Sequence, residues 1–86
     1  MRRYILSHTE GKIRDALIAE YLDARRQRHL ALGGIANSER EITTKKAAGG
    51  YTGISEIHLH LAHERLAVAR EAIRLTTDLM RIVRGS

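Results

Sequence analysis

The chain has no cysteine, no proline, no tryptophan and no phenylalanine, and its aromatic residues are three tyrosines, Tyr4, Tyr21 and Tyr51. Each absence narrows what 86 residues can be. Without cysteine there are no disulfides, no thiolate zinc sites and no cysteine nucleophiles, which fits a reducing cytoplasm. With so few aromatics, any core is made of Leu, Ile, Val and Ala. Such a core packs helices closely but buries little area per residue, and a single domain of this length is near the size where a lone core is marginal. No run approaches the ~18 apolar residues of a membrane span. The opening residues, Met1 to Ser7, offer two arginines and then only three apolar positions, too few for a signal peptide. The expectation is one domain over residues 1–86, cytoplasmic (in the host cytoplasm if viral), with no membrane partner and no cofactor.

What the chain does have is a long uninterrupted stretch. From Ile54 to Arg84 there is no glycine, and the apolar residues recur in two heptad series. One is Ile54, Leu61, Val68, Leu75, Ile82, and the other is Leu59, Leu66, Ile73, Met80. At about 100° per residue the two series lie roughly 140° apart on a helical wheel, with Ala62, Ala69, Ala72, Leu79 and Val83 between them. A surface helix needs an apolar stripe little wider than ~100°, so this one has two sides to bury. Only residues 1–53 are available within the chain to cover it. A homo-oligomer, with a dimer favoured, follows as the first expectation, through Leu61, Val68, Leu75, Leu79 and Ile82. The edge Leu59, Leu66, Ile73 and Met80 then packs on Ile13, Leu17 and Tyr21, although the two edges are interchangeable at this level.

Upstream, Ser7 or Thr9 with Glu10 forms a helix-start signature, and Tyr4, Ile5 and Leu6 precede it as a short extended or packed lead. Gly33-Gly34 reads as the stop of the first helix. Ser38 to Glu41 is a second capping box, opening a short helix that ends at Gly49-Gly50; the β-branched pair Thr43-Thr44 makes a polar hairpin the competitor. Thr52 or Ser55 caps the last helix. The predicted fold is all-α, an antiparallel helical hairpin. It has helix 1 over about 9–32, a short central helix or hairpin over about 39–48, a long helix over about 54–84, and is completed by oligomerisation.

Fifteen Lys and Arg against ten Asp and Glu give a net charge of +5, which invites a nucleic-acid partner. Placement weakens the inference, because acidic starts and basic ends are what the helix dipole favours in any helical protein. The tyrosines also form no spaced set of the kind single-strand binders use for stacking. The residues to test for anion contact are Arg25, Arg26, Arg28, Lys45 and Lys46. Ala47-Ala48, Gly53-Ile54-Ser55, Leu59 and Ala62 resemble a helix-turn-helix over 43–62. Against that, Gly49 stands where the pattern prefers Ala, and Ile57 would be base-facing.

His60, His63, Glu56 and Glu64 share one side of the last helix, but the run His60-Leu61-Ala62-His63-Glu64 lacks the His-Glu-x-x-His spacing of a helix-borne zinc site. A solvated face with weak i,i+4 contacts is the better reading. His58 and Arg65 fall inside the apolar arc, where a polar group needs a partner and can fix the register of a helical seam. No phosphate-cradling glycine loop is present, and the Ser and Thr residues fall mainly at caps and turns. The sequence thus points to a non-enzymatic, basic, helical binding or assembly protein with no metal. A small Arg-rich helical chain of this kind is common in phages and mobile elements. The alternatives are a nucleic-acid-binding regulator, a head–tail joining component and an inhibitor docking on a host protein.

Overall fold

The computed structural model describes residues 2–85, and the side chains of residues 9–84. It consists of two long helices, α1 (Arg2–Ala47) and α2 (Gly53–Gly85), packed against each other as an antiparallel hairpin with no strand among the described residues. The result is a rod of 71 × 14 × 13 Å. Its radius of gyration is 19.7 Å, against about 12 Å for a compact domain of this length.

The packing follows one rule on both helices. Along α1 the residues turned inward are Leu17, Tyr21, Ala24, Arg28, Ala31, Ile35, Ser38, Ile42 and Lys45, at alternating spacings of four and three. Along α2 they are Ser55, Leu59, Ala62, Leu66, Ala69, Ile73, Thr76, Met80 and Val83, with the same alternation. This is the seam of a two-stranded coiled coil. Among the described residues the buried apolar ones are few: Ala24, Ala31, Ala62, Leu66 and Ala69. Leu66, 6% exposed, is the one large side chain among them. Of the two edges left interchangeable by the sequence, Leu59, Leu66, Ile73 and Met80 is therefore the one that packs on α1, along most of its length and not on residues 13–21 alone. Leu17 and Tyr21 meet it half-buried, while Ile13 remains 45% exposed and lies off the seam.

Three expectations about α1 are corrected. The helix starts at Arg2, upstream of the Ser7 or Thr9 signature, so the lead is helical; the side chains of Tyr4, Ile5 and Leu6 lie outside those described. It runs straight through Gly33-Gly34. Two interior glycines cost roughly 1 kcal/mol each relative to alanine, but the turns on both sides are tied into the seam through Ala31, Ile35, Ser38 and Ile42, and packing outweighs propensity. A Cβ placed on Gly34 would stand 3.5 Å from that of Ala62, which shows how closely the helices approach here. Residues 39–47 are consequently the end of α1 and not a separate element. The hydroxyls of Thr43 and Thr44 donate to the carbonyls of Glu39 and Arg40 one turn back, which accommodates both β-branched residues inside a helix.

The true stop is Gly49, with φ of 74°. The Gly50 amide donates to the Lys45 carbonyl at 2.7 Å and the Gly49 amide to the Lys46 carbonyl at 3.1 Å, the paired bonds of a Schellman motif. α2 then opens with Thr52 as N-cap: its carbonyl accepts the Glu56 amide at 2.9 Å, and its hydroxyl lies 3.4 Å from the Glu56 carboxylate.

Candidate assembly surface

α1 covers only one of the two apolar sides of α2. The other, Leu61, Val68, Leu75, Leu79 and Ile82, lies together on a single exposed strip, with Val68 70% and Ile82 66% exposed. Ile54 and Ile57 extend the strip towards the turn. It is continuous with a groove of about 500 Å³ between the helices. The floor is apolar: Ala24 from α1 and Leu61, Val68, Ala69 and Ala72 from α2. The walls carry Glu20, Asp23 and Gln27 on α1 and Glu64 and Arg65 on α2. The five residues expected to form an interface are thus gathered on one exposed strip, of which Leu61 and Val68 also border the groove towards α1.

The whole-chain surface agrees with that picture. Its accessible area is 6955 Å², whereas a compact monomer of 9.7 kDa exposes about 5,100 Å². The excess of about 1,800 Å² comes from a two-helix rod that leaves large apolar side chains in water on both helices, among them Leu22 and Leu30 on α1.

The five cations expected to contact an anion are not gathered. Arg25 lies over the Tyr21 ring, 5.8 Å from its centroid. Arg26 pairs with Asp23 at 2.7 Å. Arg28 is half-buried in the seam. Lys46 is exposed, and Lys45 donates to the Ser55 hydroxyl at 2.9 Å. About 25 Å of helix separates the first three from the lysines. Because Arg25, Arg26 and Arg28 fall in mid-helix, the dipole does not explain their placement; Lys45, Lys46 and Arg84 do stand in last turns and Glu56 in a first turn.

At the turn end the structure builds a tie that sequence reasoning missed. Ser55, 1% exposed, donates to the Glu41 carboxylate at 3.1 Å while accepting from Lys45. Glu41 and Lys45 are one turn apart on α1, so a single α2 hydroxyl is held by both. Read as a cap, Ser55 gave no hint of this. Its phase with Leu59, Ala62 and Leu66 was the available signal.

On the outer side of α2, Arg74 binds Glu71 through two nitrogens, Nε at 3.2 Å, and reaches Asp78 at 3.6 Å. The hydrogen bond from Arg74 holds the Glu71 carboxyl below the ordinary glutamate range, and the same bond raises Arg74. His60 and Glu64 meet at 3.0 Å. Among the described residues no three His, Asp or Glu side chains come together as a metal ion would require, and no helix is long and apolar enough to cross a membrane. The threonine hydroxyls of Thr76 and Thr77 are directed at backbone carbonyls one turn back.

Compared with protein-family models, curated proteins and solved structures, the chain finds no match.

Proposed function

We propose that the protein is a non-enzymatic helical binding and assembly protein that works as a homo-oligomer, in the first place a dimer, formed through α2. The observation that supports this is the uncovered heptad strip Leu61, Val68, Leu75, Leu79 and Ile82 on a helix whose other side is already covered by α1. Exposed apolar strips of this length mark interaction surfaces in soluble proteins. Light scattering after size exclusion tests it, with expected mass twice the 9.7 kDa of the chain. Val68→Asp is the companion variant. It places a carboxylate without a partner in the seam, so it dissociates or unfolds the assembly. A monomer at 100 µM (roughly the top of a useful range), with Val68→Asp unchanged in mass and melting, refutes the reading. A ring-sized mass would instead favour a joining component of head–tail type, and a stable complex with one foreign protein an inhibitor.

A second reading rests on Arg70, Arg81 and Arg84, exposed on α2 with no carboxylate partner among the described residues. These arginines and Arg25 are suited to the backbone of a nucleic acid. The segment 43–62 supports that reading less, since its two helices run antiparallel, whereas a DNA-reading helix-turn-helix crosses at about 90–120°. Duplex binding that weakens steeply between low and moderate salt would support it, and binding that is absent at low salt would remove it.

A further inference from the structure

We infer that two copies of the chain pair through α2 in antiparallel orientation, with the two-fold axis at Val68. The inference rests on the proposed role of α2 as the self-association surface and adds its orientation and register. The central row of the strip reads Ile54, Leu61, Val68, Leu75, Ile82. It is the same in either direction about Val68. A two-fold axis there sets Val68 against its own copy, Leu61 against the second copy's Leu75, and Ile54 against its Ile82, so every layer pairs residues of matching size.

The polar residues in the strip choose the orientation. His58 and Arg65 share the row that continues as Ala72 and Leu79. In a parallel pair each would meet its own copy, and two guanidiniums would be pressed together in an apolar seam, which specific interfaces avoid. In the antiparallel pair Arg65 comes level with the second copy's Glu71 and His58 with its Asp78, while on the facing row Ala72 and Leu79 lie one residue, about 1.5 Å, further along. The small Ala72 leaves room for a guanidinium to pass.

The groove supplies the counter-charge. Gly34 stands opposite Ala62, so Arg65 is level with Ala31, and Asp23 of its own chain lies about 12 Å further along α1 at 1.5 Å per residue. Accordingly, Arg65 has no carboxylate within 4 Å among the described residues. Measured along the helix axis, the two-fold at Val68, level with Arg28, brings the second copy's Asp23, which also pairs with its own Arg26, to within about one helical turn of Arg65. Asp23 and Glu20 already line the groove that contains Arg65.

A chain without cysteine is a clean background for single-cysteine cross-linking. A disulfide needs Cα atoms within about 7 Å. In the antiparallel register two copies of residue 61 lie about 21 Å apart. Val68→Cys should therefore cross-link to itself under mild oxidation, and neither Leu61→Cys nor Leu75→Cys alone should. A mixture of those two, one carrying a mass tag, should give the mixed disulfide as the dominant dimer. Ile54→Cys with Ile82→Cys repeats the test at the far layers. Self-cross-linking of Leu61→Cys and of Leu75→Cys would mean a parallel pair and overturn the inference. A dimer by light scattering that no variant cross-links would place the interface elsewhere, leaving self-association standing without this register. A monomer by light scattering would remove both readings together.

Discussion

Val68→Ala changes the sign of its effect according to whether the α2 strip is covered in solution. The substitution removes two carbons, worth about 1.6 kcal/mol at full burial. In the isolated hairpin Val68 is 70% exposed, so less than a third of that, about 0.5 kcal/mol, is at stake. Alanine also exceeds valine in helix propensity by about 0.6 kcal/mol. The two terms cancel, and an isolated hairpin should be unchanged or slightly stabilised. In a dimer both copies of Val68 are buried. Each then loses about 1.6 and regains about 0.6 kcal/mol, giving about 2 kcal/mol per dimer and more if a cavity remains. That corresponds to a roughly 30-fold weaker dimer. The assay is urea unfolding of both proteins at matched concentrations, joined to melting at several concentrations. For a dimer that folds as it associates, a tenfold dilution costs about 1.5 kcal/mol near 60 °C. Two chains of 86 residues at about 2.1 cal/mol/K per residue convert this into a drop of about 4 °C in Tm. A neutral or stabilising Val68→Ala with a concentration-independent Tm would refute the reasoning.

Other substitutions test the hairpin itself. Leu66→Ala, which empties the one large buried position, should cost about 3 kcal/mol in urea unfolding; a loss below about 1 kcal/mol would mean the seam is not formed as described. Gly33 is exposed in mid-helix with open space around its Cα, so Gly33→Ala should stabilise by up to about 1 kcal/mol. Gly49→Ala should destabilise by about 1–2 kcal/mol, because φ of 74° is strained for alanine. If instead Gly33→Ala destabilises, the helix ends at the glycine pair. By NMR titration the Glu71 carboxyl should ionise below the ordinary glutamate range, and Arg74→Gln should return it there. Its folded-state pKa is depressed, so the contribution to stability is present above the unfolded-state value and fades as pH falls through the lower, folded value.

The parts legible in the sequence are those whose signal is local and repeated. α2 was readable almost to the residue, 54–84 against Gly53–Gly85, because nothing interrupts its two heptad series and a real glycine stop precedes it. Which of its two edges faces α1 was not readable, since both series are apolar; burial of Leu66 between Ala62 and Ala69 decides it. α1 was not readable as one helix. Its inward row has the same 3–4 alternation, but Arg28, Ser38 and Lys45 occupy it and Gly33-Gly34 interrupts the eye. Polar residues in a seam break a hydrophobic pattern without breaking the helix. Glycine propensity is likewise a local quantity, whereas what carries α1 through residues 33 and 34 is the packing of the flanking turns, Ala31, Ile35, Ser38 and Ile42, against a helix that follows later in the chain.

The inequality between the helices bears on the whole molecule. α1 spends one face on α2 and is polar or mixed elsewhere, with acids such as Glu20 and Asp23 lining the groove. α2 has an apolar face to spare and almost no basic residue in it except Arg65. A hairpin of two equal helices would bury its apolar residues between them and stop. Both helices leave apolar side chains in water, but on α2 the surplus forms one row that is palindromic about Val68, and among the described residues Arg65 beside it has no carboxylate within 4 Å. An apolar surface alone would accept many partners. An unpaired arginine within it rejects those that offer no acid at the right level, and a second copy of this chain in antiparallel offers one twice.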